Sequence, residues 1–334
     1  MVDISSSNAS ILILGQYRMF EWFEPAVVIV IAVLLAWSGI RSWRSKKLIV
    51  KWGGTGLATL ASVIAFSISV LLTIGLFKLH ARSAPSVDLK VAGTAEQIRR
   101  GQTIADSFCS GCHTRTDTLT GGADLGKDIS LPIGSFIAAN LTPVGQLSRW
   151  SDGDIFRAIR NGVDPEGYWL VIMSYTNAGK LSDEDTKAVI AYLRSLPAAG
   201  EKTRNPADRL TTLGIAMLGA GMLPAGKPVS TDHITAPPKG PTSRYGEYLI
   251  SYQDCRECHG KDLTGGKPGQ LAPLGPDLNV VKGWKFQEFV ATMRTGVDPN
   301  GHTLGNQMPW QPIGRMEDED LRAVYEYLTH LPAA

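Results

Sequence analysis

Two thiols spaced by two residues and followed directly by an imidazole occur twice in this chain, as Cys109-Ser110-Gly111-Cys112-His113 and as Cys255-Arg256-Glu257-Cys258-His259. C-x-x-C-H reads as a c-type haem attachment site. Thiols one helical turn apart can each form a thioether to a vinyl group, and the next residue offers its imidazole to the iron from the same backbone turn. A lone C-x-x-C is more often a zinc or redox pair. Here all 4 cysteines fall into two complete motifs, so the expectation is two covalently bound haem c groups, held by Cys109 and Cys112 and by Cys255 and Cys258, with His113 and His259 as axial ligands.

The other axial ligand decides whether such a site carries electrons or does chemistry. Between Met19 and Met217 the only methionine is Met173, and between His80 and His233 the only histidine is His113. Met173 is therefore the candidate at the first site. At the second, Met308, Met293, Met316, His302 and His330 compete. Met293 lies in a helical run and Met316 begins the closing helix, which leaves Met308, with His302 as the alternative. Met308 is favoured because Met173 and Met308 fall six and seven residues after matching glycines, Gly167 and Gly301, and because histidine/methionine ligation raises the potential of c-type haems.

Those glycines close an internal repeat. Arg160-Asn161-Gly162-Val163-Asp164-Pro165-Glu166-Gly167 returns as Arg294-Thr295-Gly296-Val297-Asp298-Pro299-Asn300-Gly301. The acidic Asp183-Glu184-Asp185, followed by apolar positions ending at Leu196-Pro197, returns as Asp318-Glu319-Asp320 and Leu331-Pro332. A repeat at this spacing means two copies of one domain. Each copy reads as helical. Thr94 and Gln97 can form a capping box, and Gly101 and Gly246 sit in matching helices where close approach of the closing helix explains a residue that costs about 1 kcal/mol against alanine. Trp150, Trp284 and Trp310 are candidates for packing at the haem edge. The carbonyl that orients the ligating imidazole is expected in Gly275-Pro276-Asp277-Leu278 for the second site, with Leu131-Pro132 as the counterpart for the first.

Ahead of the repeat the chain turns apolar. No charged residue occurs between Lys51 and Lys78, and Thr55 to Phe77 exceeds the ~20 residues needed to cross a bilayer core. Pro25 to Ile40 is a shorter uncharged run flanked by Trp22, Phe23, Trp37 and Trp43, as interfacial aromatics tend to flank a span. One or two spans follow, at about 25–40 and 55–77. The connector between them carries Arg41, Arg44, Lys46, Lys47 and Lys51 and no acid, which places it in the cytoplasm and everything after about Lys78 outside. The first run lies too far in for an ordinary cleaved signal. The expected location is a bacterial inner membrane, haem domains on the periplasmic side. A net charge of +2 argues against a nucleic-acid partner.

From about Thr94 to Pro332 each copy resembles a class I cytochrome c domain. More narrowly, Ala139-Asn140-Leu141-Thr142-Pro143, Trp150-Ser151-Asp152, the R-x-G-V-D-P-x-G string and a connecting N-x-x-x-R-L that begins at Asn205 look like the cytochrome subunits of membrane-bound alcohol, aldehyde and gluconate dehydrogenases. That family usually has three haem motifs and a cleaved signal; this chain has two motifs and an apolar N-terminal pair. The resemblance implies an all-α chain of two tandem class I cytochrome c domains behind one or two N-terminal transmembrane helices. The expected division is an N-terminal segment 1–24, an anchor 25–80, a tether 81–93, domains 94–200 and 242–334, and a connector 201–241 in which the apolar Leu210 to Leu223 is a simple packed connector, with a helix on the domains or a partner-binding surface as the alternatives, and His233 is a surface residue.

Two function classes follow. One is a membrane-tethered relay that passes single electrons between a membrane complex or dehydrogenase and an external acceptor such as a soluble carrier, with membrane lipid as its other partner and no catalysis of its own. The other is a dihaem peroxidase, which needs an iron with an open position; paired methionines favour the relay. A dihaem subunit of a terminal oxidase or photosynthetic chain is the alternative within the relay class.

Overall fold

The computed structural model describes residues 4–331 except 115, 117, 205, 206 and 271, with side chains described from residue 21 onward. Asn205 and Pro332 lie outside the described residues. Helices dominate: α1 (Ile4–Trp43), α2 (Thr55–Ala81), α3 (Ala95–Ile104), α4 (Ser110–His113), α5 (Asp152–Asn161), α6 (Val171–Tyr175), α7 (Asp183–Ser195), α8 (Thr212–Gly219), α9 (Ser243–Tyr252), α10 (Cys255–His259), α11 (Phe286–Thr295), α12 (Trp310–Ile313) and α13 (Asp318–Thr329). The strands β1 (Gly134–Phe136) and β2 (Asp208–Leu210) pair antiparallel, Gly134 opposite Leu210, and are the only sheet among the described residues.

The helices α1 and α2 form an antiparallel hairpin, and a heptad stripe explains their register. Thr55, Ser62 and Ser69 donate to the carbonyls of Gly39, Ala32 and Pro25 at 3.3, 2.8 and 2.9 Å. Both series step by seven residues, two helical turns, so one face of each helix meets the other with small residues and hydroxyls, as helices pair when no water drives them together. The remaining faces are apolar yet exposed, as at Val33, Leu57 and Phe77. Glu21–Trp43 and Val50–Ala81 are long and apolar enough to cross a membrane, somewhat longer than the runs expected. Aromatic rings cluster at both ends, Trp43 against Trp52 at 5.0 Å and Trp22 against Phe77 at 5.2 Å.

Within each repeat the first and last helices cross at a glycine. A Cβ on Gly101 would overlap the Ala188 carbonyl oxygen of α7, and one on Gly246 would overlap the Ala323 carbonyl oxygen of α13. Thr94 and Gln97 form the expected capping box. The two copies are not separate beads: one core runs through both, from Ile104 and Val189 to Leu249, Leu321 and Leu328.

Two expectations change. The segment after α2 is no free tether, since Val91 N–H donates to Asp152 at 2.9 Å, Arg82 Nε donates to the Asn161 carbonyl at 2.9 Å, and Val87 packs its carbonyl on Gly153. The apolar connector does form a helix, α8, but it packs on α2 as well as on the first domain. Gly75 and Gly219 remove the side chains that would block that approach, and Lys78 Nζ closes the C-terminus of α8 by donating to the Leu218 and Gly219 carbonyls at 2.9 and 3.3 Å.

Candidate functional site

The first motif sits where α3 passes through a π-helical stretch, Ala105–Cys109, into the short α4. That turn projects Cys109, Cys112 and His113 into an apolar cavity of about 1430 Å³, mouth included, which Met173 of α6 also lines. The sequence thus brings together over sixty residues of chain what counting methionines anticipated. Burial pushes the Cys109 thiol up to about 12, so it is a neutral, apolar sulfur, unlike an activated thiolate. Among the described residues no group of three or more His, Cys, Asp or Glu side chains converges as a zinc site requires.

His113 Nδ1 hydrogen-bonds the Ala139 carbonyl at 2.8 Å. Burial lowers the pKa of this imidazole and the Ala139 bond offsets part of that, so the ring is neutral, protonated on Nδ1, with Nε2 left as the available donor of a lone pair. The orienting carbonyl is Ala139, not Leu131-Pro132. Residues 131–132 are carried off by a detour through β1, and the chain returns to the imidazole only at Ala139. Asn140, 1% exposed, holds it there: its Nδ2 donates to the Ala199 and Glu201 carbonyls at 2.8 and 2.9 Å, and its Oδ1 accepts from Thr142 N–H at 2.8 Å. The A-N-L-T-P string is a clip tying this loop to the chain that leaves α7.

At the second motif His259 is buried and its Nδ1 hydrogen-bonds the Pro276 carbonyl at 2.7 Å, within the loop expected to supply it. Gly275 makes the cradle: a Cβ there would stand 2.7 Å from Nδ1 of the ring. Burial pushes Cys255 to about 12 as well. Met308 is half-buried against the core while His302 is exposed, with its backbone N–H spent on Asp298 at 2.8 Å. Met293 and Met316 are buried among other core side chains, and His233, exposed as expected, pairs with Asp183 at 2.5 Å.

The repeated R-x-G-V-D-P-x-G string delivers the methionines. Gly162 and Gly296 end α5 and α11 with φ of 61° and 72°, the left-handed cap that glycine favours. The chain then doubles back: Asp164 N–H donates to the Tyr168 carbonyl and Leu170 N–H to that of Gly162, as Asp298 does to His302 and Leu304 to Gly296. Met173 and Met308 follow these returns. Cavity residues that went unread include Trp169 and, from the other copy, Asp254, whose carboxylate accepts from Asn177 N–H and Nδ2 at 2.7 and 2.6 Å. Of the tryptophans singled out, Trp150 lines the cavity, Trp310 packs on Gly296, and Trp284 packs on the core.

Residues 96–193 match the family of cytochrome c oxidase, cbb3-type, subunit III, and residues 244–332 match cytochrome c. The chain carries two cytochrome c domains. This cytochrome is 26% identical over 266 residues to a dihaem cytochrome c-type protein of Cereibacter sphaeroides, covering 72% of this chain and 88% of that protein. It is 35% identical over 98 residues to the gluconate 2-dehydrogenase cytochrome c subunit of Pantoea cypripedii, covering 25% of this chain and 22% of that one. It is 25% identical over 272 residues to the cytochrome c subunit of the quinone alcohol dehydrogenase of Gluconobacter oxydans, covering 71% of this chain but 55% of that subunit. The cytochrome therefore spans about half the length of this last relative. Its domains are of the kind that bind haem c covalently, and it is an electron-transfer protein rather than a catalytic one.

Proposed function

We propose that this cytochrome is a membrane-anchored dihaem relay, passing single electrons between a membrane complex or dehydrogenase and an acceptor outside the membrane. Domains 94–200 and 242–334 each hold one haem c, through Cys109 and Cys112 with His113 and Met173, and through Cys255 and Cys258 with His259 and Met308. The observation that carries the reading is the first cavity, where two thiols, a neutral imidazole with its Nδ1 satisfied, and the one methionine of that domain line a single apolar space. Haem c bound there supplies a one-electron iron couple. The chain's own part is to orient the imidazole through Ala139 and Pro276, to supply a methionine thioether, and to exclude water with apolar side chains.

The anchor is α1 and α2, with the basic connector in the cytoplasm and the cytochrome domains on the periplasmic side of a bacterial inner membrane. Confinement beside other membrane complexes raises effective concentration without a tight interface. The match of the first domain to an oxidase subunit family supports a second reading, a subunit of a terminal oxidase.

The test uses the full-length protein purified in mild detergent. Two haem c per chain, no peroxide turnover and little carbon monoxide binding are expected. Met173→Ala and Met308→Ala should each keep covalent haem yet lose one methionine-to-iron absorption band. A Met308→Ala spectrum that is unchanged, beside a changed His302→Ala spectrum, would reassign the second ligand. Co-purification of a dehydrogenase or of oxidase subunits distinguishes the two relay readings.

A further inference from the structure

The apolar segments of α1 and α2, Glu21–Trp43 and Val50–Ala81, share an ionisable pair at one end that the relay does not use. Glu21 of α1 and His80 of α2 hydrogen-bond at 3.0 Å, their side chains 17% and 18% exposed, inside segments otherwise apolar enough to cross a membrane. A largely buried polar pair contributes little net stability against apolar residues of the same size, and ionisable groups within membrane helices mark functional sites by default. Beside the pair lies an open cavity of about 590 Å³ lined by Trp22, Phe77, His80 and Ala81. The Trp22 ring stacks on His80 at 6.4 Å, and Phe77 meets Trp22 edge-on at 5.2 Å. On its other side the His80 ring meets Tyr168 at 6.3 Å, and Tyr168, 8% exposed, lines the first haem cavity.

We propose that Glu21, Trp22, Phe77 and His80 form a binding site for the ring of a lipid-soluble quinol, placed so that its electrons enter the first cytochrome domain past Tyr168. The proposal rests on the reading that α1 and α2 cross the membrane and that the first domain carries haem c; both helices lie outside the two segments that match cytochrome families. Three properties of the cavity select the ligand. It opens at the end of the apolar segments Glu21–Trp43 and Val50–Ala81, so its occupant partitions into lipid. Its walls are aromatic, suited to stacking a flat ring. Its polar edge is the His80 imidazole, which the Glu21 carboxylate joins at 3.0 Å, and the joined pair can exchange a proton with a ring oxygen. Oxidation to the quinone breaks two O–H bonds and releases two protons and two electrons. The carboxylate and imidazole accept the protons in turn and hand them to water, and ferric haem c of the same chain is the oxidant, one electron per iron.

The experiment uses haem-loaded, full-length protein in phospholipid nanodiscs and an azido-substituted benzoquinone with a decyl tail as photolabel. Label should map to peptides containing residues 21–24 or 77–81, fall at least tenfold in Glu21→Gln and His80→Leu, and be displaced by decylbenzoquinone but not by added phospholipid. Decylbenzoquinol should reduce the haem c absorbance at least tenfold more slowly in both variants, with haem content and dithionite reduction unchanged. Glu21→Gln keeps the size and hydrogen-bonding capacity of the side chain, so it carries the test should His80→Leu lose haem. Equal labelling in the variants, label mapped elsewhere, or displacement by phospholipid alone would overturn the proposal. Alkaline extraction of membranes separates the two readings: release of the wild-type protein refutes the anchor itself, whereas a membrane-bound, haem-loaded protein that takes no label refutes only the quinol site.

Discussion

Gly275 and Asp164 carry constraints at the scale of single residues that their types alone do not announce. A methyl group on Gly275 would press on the His259 ring at 2.7 Å, and the ring cannot yield without giving up the Pro276 carbonyl. Gly275→Ala should therefore shift the absorption of the second haem and leave the first unchanged, at a stability cost of about 1–3 kcal/mol read from a denaturant melt. Asp164 is 2% exposed, and burial, only partly offset by the Tyr168 N–H, raises its pKa to about 7. Its folded value lies above its unfolded one, so the native state binds the proton more tightly. The stability this contributes is full below about pH 4 and is lost as pH rises to about 7, a change of up to ~4 kcal/mol. Asp164→Asn keeps an acceptor for Tyr168 N–H and should flatten that part of the profile; parallel stability curves for the two proteins between pH 4 and 8 would refute the assignment. The candidate pair of the first site was legible from inventory, because that domain holds one methionine, Met173, and one histidine, His113, and both line its cavity; in the second domain three methionines and two further histidines left a choice that inventory alone does not make. The hydrogen-bond partner of His113 was not legible either. The Pro276 carbonyl is 17 residues from His259, whereas Ala139 is 26 from His113, and the extra chain in the first loop moves the carbonyl away from the place the repeat suggests.

Between elements, the closing helices and their glycine crossings could be read from the repeat, since a glycine at the same helical place in both copies has a steric cause. The contact that joins the copies could not, because its members become equivalent only in space. Arg100, one residue before Gly101, donates from Nε and Nη2 to Asp185 at 2.8 Å each, and its Nη1 lies 3.6 Å from Asp320 in the other copy. Tyr248 of the second copy donates to the same Asp185 at 2.6 Å. Burial alone would lower the pKa of Arg100, but the Asp185 hydrogen bonds and charge outweigh it and raise the net value. Arg100→Met would strand two largely buried carboxylates. The expected loss is about 3–5 kcal/mol, as for other broken buried pairs, in a single denaturant transition reported alike by the absorbance of both haems. Adding Asp185→Asn should recover part of it. Two separate transitions in the wild-type protein would contradict a core shared by the two domains.

For the whole molecule the question is whether the cytochrome domains swing on a leash or ride rigidly on the hairpin. A polar stretch between an apolar run and a globular repeat reads as a leash, and composition cannot reveal that its backbone is laced to α5. The rigid alternative depends on α8, an apolar helix too short to span, whose glycines let it lie on α2. Leu72, Leu76 and Ile215, at 1%, 1% and 5% exposed, form the apolar seam. Lys78 caps α8 from α2, and Thr212 donates to Glu24 of α1 at 2.8 Å. Each contact is small, but together they fix the first haem cavity above the end of the hairpin. Gly75→Leu would drive a side chain into the Ile215 backbone and should unseat α8 while leaving α2 apolar. Spin labels at Ser67 and Ser148 report the outcome by pulsed electron resonance in nanodiscs. The wild-type protein should give one narrow distance distribution and Gly75→Leu a broad one, with haem content unchanged. A broad distribution in the wild-type protein would mean that α8 does not hold the domains and that the chain is tethered after all.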